Sequence, residues 1–205
     1  MLSLKPFQIA LVITGIFLTI GSSACSFLRQ NNSSVSQSNV NASQPQRRPT
    51  RDPNAVKYFE SVEEMNKIKA VFAEKIGGEL KVMDFTVAEN YAITQAQSPQ
   101  NPENIDQYSY RNDAFEKVVP VKLSGDGKLE DNLFNINDVA LEKIPELVRE
   151  AMERSKDLEN PKPQLVRVAL DNKGKINISV AINSTRKNAS LDADAKGNIT
   201  GYSRF

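Results

Sequence analysis

Between residues 61 and 76 the apolar positions recur every three or four residues, with Met65, Ile68, Phe72 and Ile76 on one helical face. Ser61 followed by Glu64 has the spacing of a capping box, and Gly77-Gly78 supplies a stop, so the pattern predicts a helix over 62–76. The period then drops to two. "ELKVMDFTVAENYAITQAQ" (79–97) reads as two strands turning at 88–90. "SPQNPENID" (98–106) carries two prolines and reads as a loop. "QYSYR" (107–111) and "KVVPVKL" (117–123) read as further strands, with Pro120 demanding an edge or a bulge because it has no amide to donate.

The same order returns about 80 residues on. Ile144, Leu147, Val148, Ala151 and Met152 form an apolar face, and Pro145 fits only a first helical turn, so a second helix is predicted over 145–156 with a turn at 138–143 before it. "QLVRVAL" (164–170) and "KINISVAI" (175–182) flank Asp171-Asn172-Lys173-Gly174, a hairpin signal. In the second of these strands Ile176, Ile178, Val180 and Ile182 alternate with polar or small residues, so one face is buried and the other wet. "KNASLDA" (187–193) and "NITGYSRF" (198–205) make a last hairpin about 194–197.

Both halves therefore read helix, hairpin, third strand, fourth strand, and Leu80 aligns with Leu165 and Tyr110 with Leu191. This is the pattern of an internal duplication, with pseudo-repeats at 61–127 and 138–205, and it predicts an α+β fold: one antiparallel sheet with both helices on one face. Over 61–205 the topology resembles the PepSY-like and β-lactamase-inhibitor-like modules of bacterial envelope proteins. The likeness is one of element order, without a specific motif, and fold analogy alone assigns no activity.

Upstream the pattern changes twice. After Lys5, residues 7–20 are almost wholly apolar, and Gly21-Ser22-Ser23-Ala24-Cys25 follows. A basic start, an apolar run and small residues are the parts of a secretory signal. The segment resembles a bacterial lipoprotein signal, which implies cleavage after Ala24, acylation of Cys25 and a lipid-anchored mature chain starting at that cysteine. Ser22 departs from that pattern, where an aliphatic residue is usual, and Ser22-x-Ala24 equally suits ordinary signal cleavage. An uncleaved anchor is the third alternative, although the run is shorter than the roughly 20 apolar residues that span a bilayer. Ser26 resembles the outer-membrane class of such proteins. Residues 26–53 are rich in Ser, Asn, Gln, Pro and Arg, too polar to bury a core, and read as a tether. The domain reading is thus a signal at 1–24, a lipidated Cys25 with its tether at 25–53, and a folded α+β domain at 54–205.

Composition narrows the chemistry. The chain of 205 residues contains no histidine and one cysteine, so the commonest general base, the commonest metal ligand and any intrachain disulfide are missing. The net charge is +1, which gives no electrostatic reason to expect nucleic acid as a partner. Asp192, Asp194 and Gly197 have the spacing that opens a calcium loop, but Lys196 occupies a ligand position and a hairpin turn needs the same residue types. No metal site and no cofactor are expected. Tyr108 and Tyr110 fall on one strand face with Arg111 opposite, and the tyrosines either pack as core beneath the first helix or form a partner-binding platform. The expectation is a non-catalytic envelope lipoprotein, anchored in a membrane by its N-terminal lipid, whose small domain binds a protein or an envelope polymer. The alternative is an enzyme or small-ligand-binding protein that uses carboxylates, tyrosines and lysines in a cleft between the halves.

Overall fold

The structure is a computed structural model that describes residues 57–77, 79–125 and 127–205. The predicted signal, Cys25 and the tether lie outside these residues. Two helices and a large antiparallel sheet make up the fold, as expected. Helix α1 (Val62–Ile76) leads into strands β1 (Lys81–Ala88), β2 (Tyr91–Gln97) and β3 (Ile105–Arg111), with short strands β4 (Ala114–Phe115), β5 (Val119–Val121) and β6 (Phe134–Asn135) after them. Helix α2 (Ile144–Arg154) precedes β7 (Lys162–Leu170), β8 (Ile176–Asn183), β9 (Ala189–Asp194) and β10 (Ile199–Arg204). The strands run in the order β10-β9-β8-β7-β1-β2-β3-β4, while β5 pairs with β3 and β6 with β1.

Local chemistry accounts for the ends of these elements. Ser61 Oγ accepts the Glu64 amide at 3.1 Å and caps α1, and Gly77 ends it at φ 76°, a backbone angle that disfavours residues with a Cβ. The Glu64 carboxylate turns toward Lys67 Nζ, 3.8 Å away. Pro145 sits in the first turn of α2, where no intrahelical amide bond is lost. Two hairpins close in the same way. Asp171 accepts the amides of Lys173 and Lys175 (2.8 and 2.9 Å), and Asp194 accepts those of Lys196 and Asn198 (both 2.9 Å), with Gly174 and Gly197 at positive φ. These bonds, foremost the Asn198 side-chain amide on Asp194 and the Lys175 backbone amide on Asp171, hold both carboxyls below the usual carboxylate range.

One face of the sheet carries the core. Phe85, Val87, Ala92, Thr94, Tyr108 and Tyr110 on one side of the β1–β7 junction, and Val166, Val168, Ile178, Val180 and Leu191 on the other, are all buried. Phe72 of α1 meets Phe85, Tyr110 and Phe115 edge to face, with centroids 5.6, 6.3 and 5.2 Å away. Helix α2 presents Leu147, Val148 and Ala151 and packs against β7, β8 and β9.

Two segments differ from the expectation. The loop at 98–106 is shorter than its prolines imply, because Ile105, 1% exposed, starts β3 opposite Gln97. "KVVPVKL" contributes only the three residues of β5, lying along β3 with Pro120 in it, as an edge position requires.

Gly197 has a second reason for being glycine. A Cβ built there falls 2.8 Å from Lys143 Cβ, and φ is 82°. The turn is also held by the Ala140 amide on the Ala195 carbonyl at 2.8 Å, so it cannot shift freely. Gly174→Ala, with open space around it, is expected to lower stability by about 1–2 kcal/mol in urea denaturation, the usual cost of the left-handed conformation for a side chain, while Gly197→Ala carries that cost and the Lys143 clash on top of it and is expected to lose more.

Candidate functional site

Alternation puts a second set of residues on the opposite sheet face. Across its middle rung run Asp192, Ser179, Arg167, Thr86, Ile93 and Ser109, paired strand to strand. The rung on one side holds Asn177, Ala169, Asp84, Gln95 and Gln107, and that on the other Ser190, Ala181 and Leu165. Most are half-buried, and among the described residues no helix or second sheet layer is packed over them. The polar side chains cross-link along the surface: Asn177 donates to Asp192 Oδ1 at 3.1 Å, and the hydroxyls of Ser179 and Ser190 are hydrogen-bonded at 2.9 Å. The face presents hydrogen-bonding groups with Ile93, Leu165, Ala169 and Ala181 among them.

Asp84 is a half-buried charge on this face. It sits at the irregularity where β1 steps out of register with β2, and its Oδ1 accepts the Gln95 amide at 3.3 Å. Arg167 approaches to 3.6 Å but is itself more than half exposed. Desolvation outweighs the pull of Arg167, so the Asp84 carboxyl is raised above its ordinary range. A carboxyl raised by folding binds its proton more tightly in the native state, so its contribution to stability falls as pH climbs from the ordinary aspartate range through the raised value. Asp84→Asn is therefore expected to gain stability relative to the parent at pH 7 and to match it near pH 3, measured by urea denaturation at both. A loss of stability at pH 7 would mean that the Arg167 pair outweighs burial.

Of the residues singled out in the sequence, Tyr108 and Tyr110 are 6% and 5% exposed and face α1. Burial raises both phenols. Tyr110 packs on Phe72 and Phe115 and points its hydroxyl at Asp113 Oδ1, 3.4 Å away. Arg111 lies on the uncovered side, exposed, with its guanidinium 4.7 Å from the Tyr91 ring centroid and its Nε 3.3 Å from Glu116. The structure thus separates the trio: two tyrosines go into the core, and the aromatic beside Arg111 is Tyr91. Register pairs Tyr91 with Arg111, a relation that spacing along the chain does not reveal.

Asp113 gathers a further cluster. Its Oδ1 receives Lys67 Nζ at 3.0 Å and the hydroxyls of Tyr58 and Tyr110 at 3.4 Å, while its amide donates to the Tyr58 hydroxyl at 3.0 Å. The Asp113 bond raises Lys67, and burial raises Tyr58. Asn112 and Asp113 occupy positive φ (49° and 60°), as the two central residues of the tight β3–β4 turn require. The cluster fastens the segment before α1, α1 itself and the turn to one another. Deprotonating either phenol there is opposed first by burial and then by the Asp113 charge.

A groove of about 440 Å³ lies between Lys57, Phe59 and Glu60 on one wall and Pro145, Val148, Arg149, Met152 and Glu153 of α2 on the other, with Pro163 beside them. Its floor is apolar and its rim charged. Among the described residues no group of three or more acidic or cysteine side chains could hold a metal ion, and Asp194 is committed to its turn.

No family model matches the chain, and no curated protein does. A crystal structure of a candidate lipoprotein from Clostridium difficile 630 has a similar fold, with a TM-score of 0.52 at 11% identity over 74% of this chain and 94% of that one. At that identity the likeness is one of fold. Among the described residues no helix is long and apolar enough to cross a membrane.

Proposed function

We propose that the chain is a non-catalytic envelope lipoprotein, held to a membrane by lipid on Cys25, whose α+β domain binds a protein or envelope polymer on its uncovered sheet face. The observation that carries this reading is that face: a broad surface dominated by Ser, Asn, Gln, Thr and charged side chains, edged by the Arg111–Tyr91 pair. Arg111 is the contact residue of the predicted trio that such a partner reaches, and Tyr108 and Tyr110 support its strand from beneath. The lipoprotein-like signal at 1–25 and the fold shared with a candidate lipoprotein support the anchor. The PepSY-like likeness and an origin by duplication belong to the same proposal. The order β10-β9-β8-β7-β1-β2-β3-β4, in which each half follows its own helix and the first strand of one meets the first strand of the other, supports them.

The groove beside α2 favours a second reading, a small ligand held between an apolar floor and the Lys57, Glu60, Arg149 and Glu153 rim. Two measurements separate the possibilities. The mass of the N-terminal peptide of protein purified from its native membrane is expected to show an acylated Cys25; an unmodified cysteine or an intact Met1 rejects the lipid anchor. A photocrosslinker at Ser179, on the uncovered face, is expected to capture a partner in cells, whereas capture only from position 153 shifts the binding site to the groove.

A further inference from the structure

The sheet has two edges, and they are finished differently. The outer side of β3 is covered by β4 and β5, with Pro120 in the latter, while β10 ends the sheet with no strand beyond it among the described residues. Phe205 and Asn188 exchange both backbone hydrogen bonds (3.0 and 2.9 Å). Antiparallel pairing alternates, so the amides and carbonyls of Ser203 and Gly201 turn toward β9 and those of Arg204 and Tyr202 turn outward. The usual guards of an open edge are an unpaired lysine, a proline, an inward charge or a bulge. Here the bulge lies only at the 199–201 end. The one charge in the strand, Arg204, is occupied by Asp157 (2.7 Å to each carboxylate oxygen) and by the Arg154 carbonyl at 2.6 Å. Tyr202 reaches Ser155 and the same carbonyl, both at 3.0 Å, so the strand is braced against the end of α2 and ordered in advance.

We infer that β10 pairs antiparallel with β10 of a second copy of this chain, joining the two sheets across a two-fold axis at Ser203. In this register Tyr202 lies opposite Arg204 of the second copy, and the outward amides and carbonyls of both residues are satisfied in both directions. Gly201 lies opposite Phe205 of the second copy. Phe205 is 73% exposed, the most exposed large apolar side chain among the described residues, and the nearest atom to a Cβ built on Gly201 is Asp192 Oδ2 at 4.0 Å, leaving the glycine open for a ring to cover. An aromatic laid across an edge glycine is a recognised strand pairing. No like charges face each other, and the bulge lies at the far end of the paired stretch, before Gly201. A second copy supplies the ring, the glycine and the outward groups together. The inference does not depend on the proposed partner face, but it makes two such faces continuous.

The test uses the full chain in its native membrane. Ser203→Cys places two thiols across a non-hydrogen-bonded pair, where Cα atoms approach to about 4.5 Å and a disulfide fits. Mild oxidation is expected to yield a covalent dimer whose peptide mass shows a 203–203 link, and Ser190→Cys, one strand further in, is expected to yield none. Adding Phe205→Asp, which removes the ring contact twice per dimer, is expected to lower dimer yield at least about tenfold, the ratio for 1.4 kcal/mol. A Ser203→Cys chain that stays monomeric, or that links to a different protein, overturns the self-pairing, as does a Ser190→Cys chain that links equally well.

Discussion

Phe72→Ala is expected to lower the unfolding free energy by about 3–5 kcal/mol, the range for removing a fully buried ring from a core. Phe72 has no exposed surface and touches aromatics from three strands, Phe85, Tyr110 and Phe115, so its loss leaves a void that no single neighbour can close. The ring also holds α1 down on β1 and β3, so the Asp113 bonds to Tyr58 and Lys67 should weaken with it. Urea denaturation checks the magnitude. Phe72→Leu, which keeps most of the volume, is expected to recover more than half of the loss. A cost below about 1 kcal/mol for the alanine variant would mean that α1 is not part of the cooperative core.

Thr94→Val is expected to cost about 1–3 kcal/mol although the side chain stays the same size, because a buried acceptor loses its donor. Thr94 has no exposed surface, and its hydroxyl donates to the Asp84 carbonyl at 2.7 Å, where β1 and β2 fall out of register. The bond ties β2 to β1 at that irregularity. Thr94→Ser keeps the donor and gives up one methyl group, so it should be the milder change of the two. Reversal of that order would show that Thr94 matters here for its packing.

Much of this architecture was legible in the chain because the signals are local. Ser61 and Gly77 bound α1 at the predicted residues, and the two Asp-x-x-Gly turns close their hairpins through bonds spanning four residues. What was hidden depends on distant pairing. Strands β4 and β6, two residues each, exist only because β3 and the start of β1, before its pairing with β7 begins, offer them backbone to pair with. Tyr58 and Asp113 are 55 residues apart, and neither belongs to a motif. The trio at 108–111 was a correct strand with an incomplete reading: alternation told which residues share a face, but only register told that Tyr91 stands beside Arg111.

The β1–β7 junction has a kinetic consequence. The β1–β2 hairpin closes across a few residues, whereas the pairing of Asp84 with Ala169 must wait for some eighty residues of intervening chain to come together. At about 0.6 kcal/mol for each doubling of loop length, the roughly five doublings between those closures add on the order of 3 kcal/mol of entropy to be overcome before the first bond forms. That places the joining of the halves late on the folding route. A nascent chain waiting for its second half carries β1 with an open side, buried only once β7 arrives, and it is during that interval that the protein depends on whatever guards unfinished chains in its compartment.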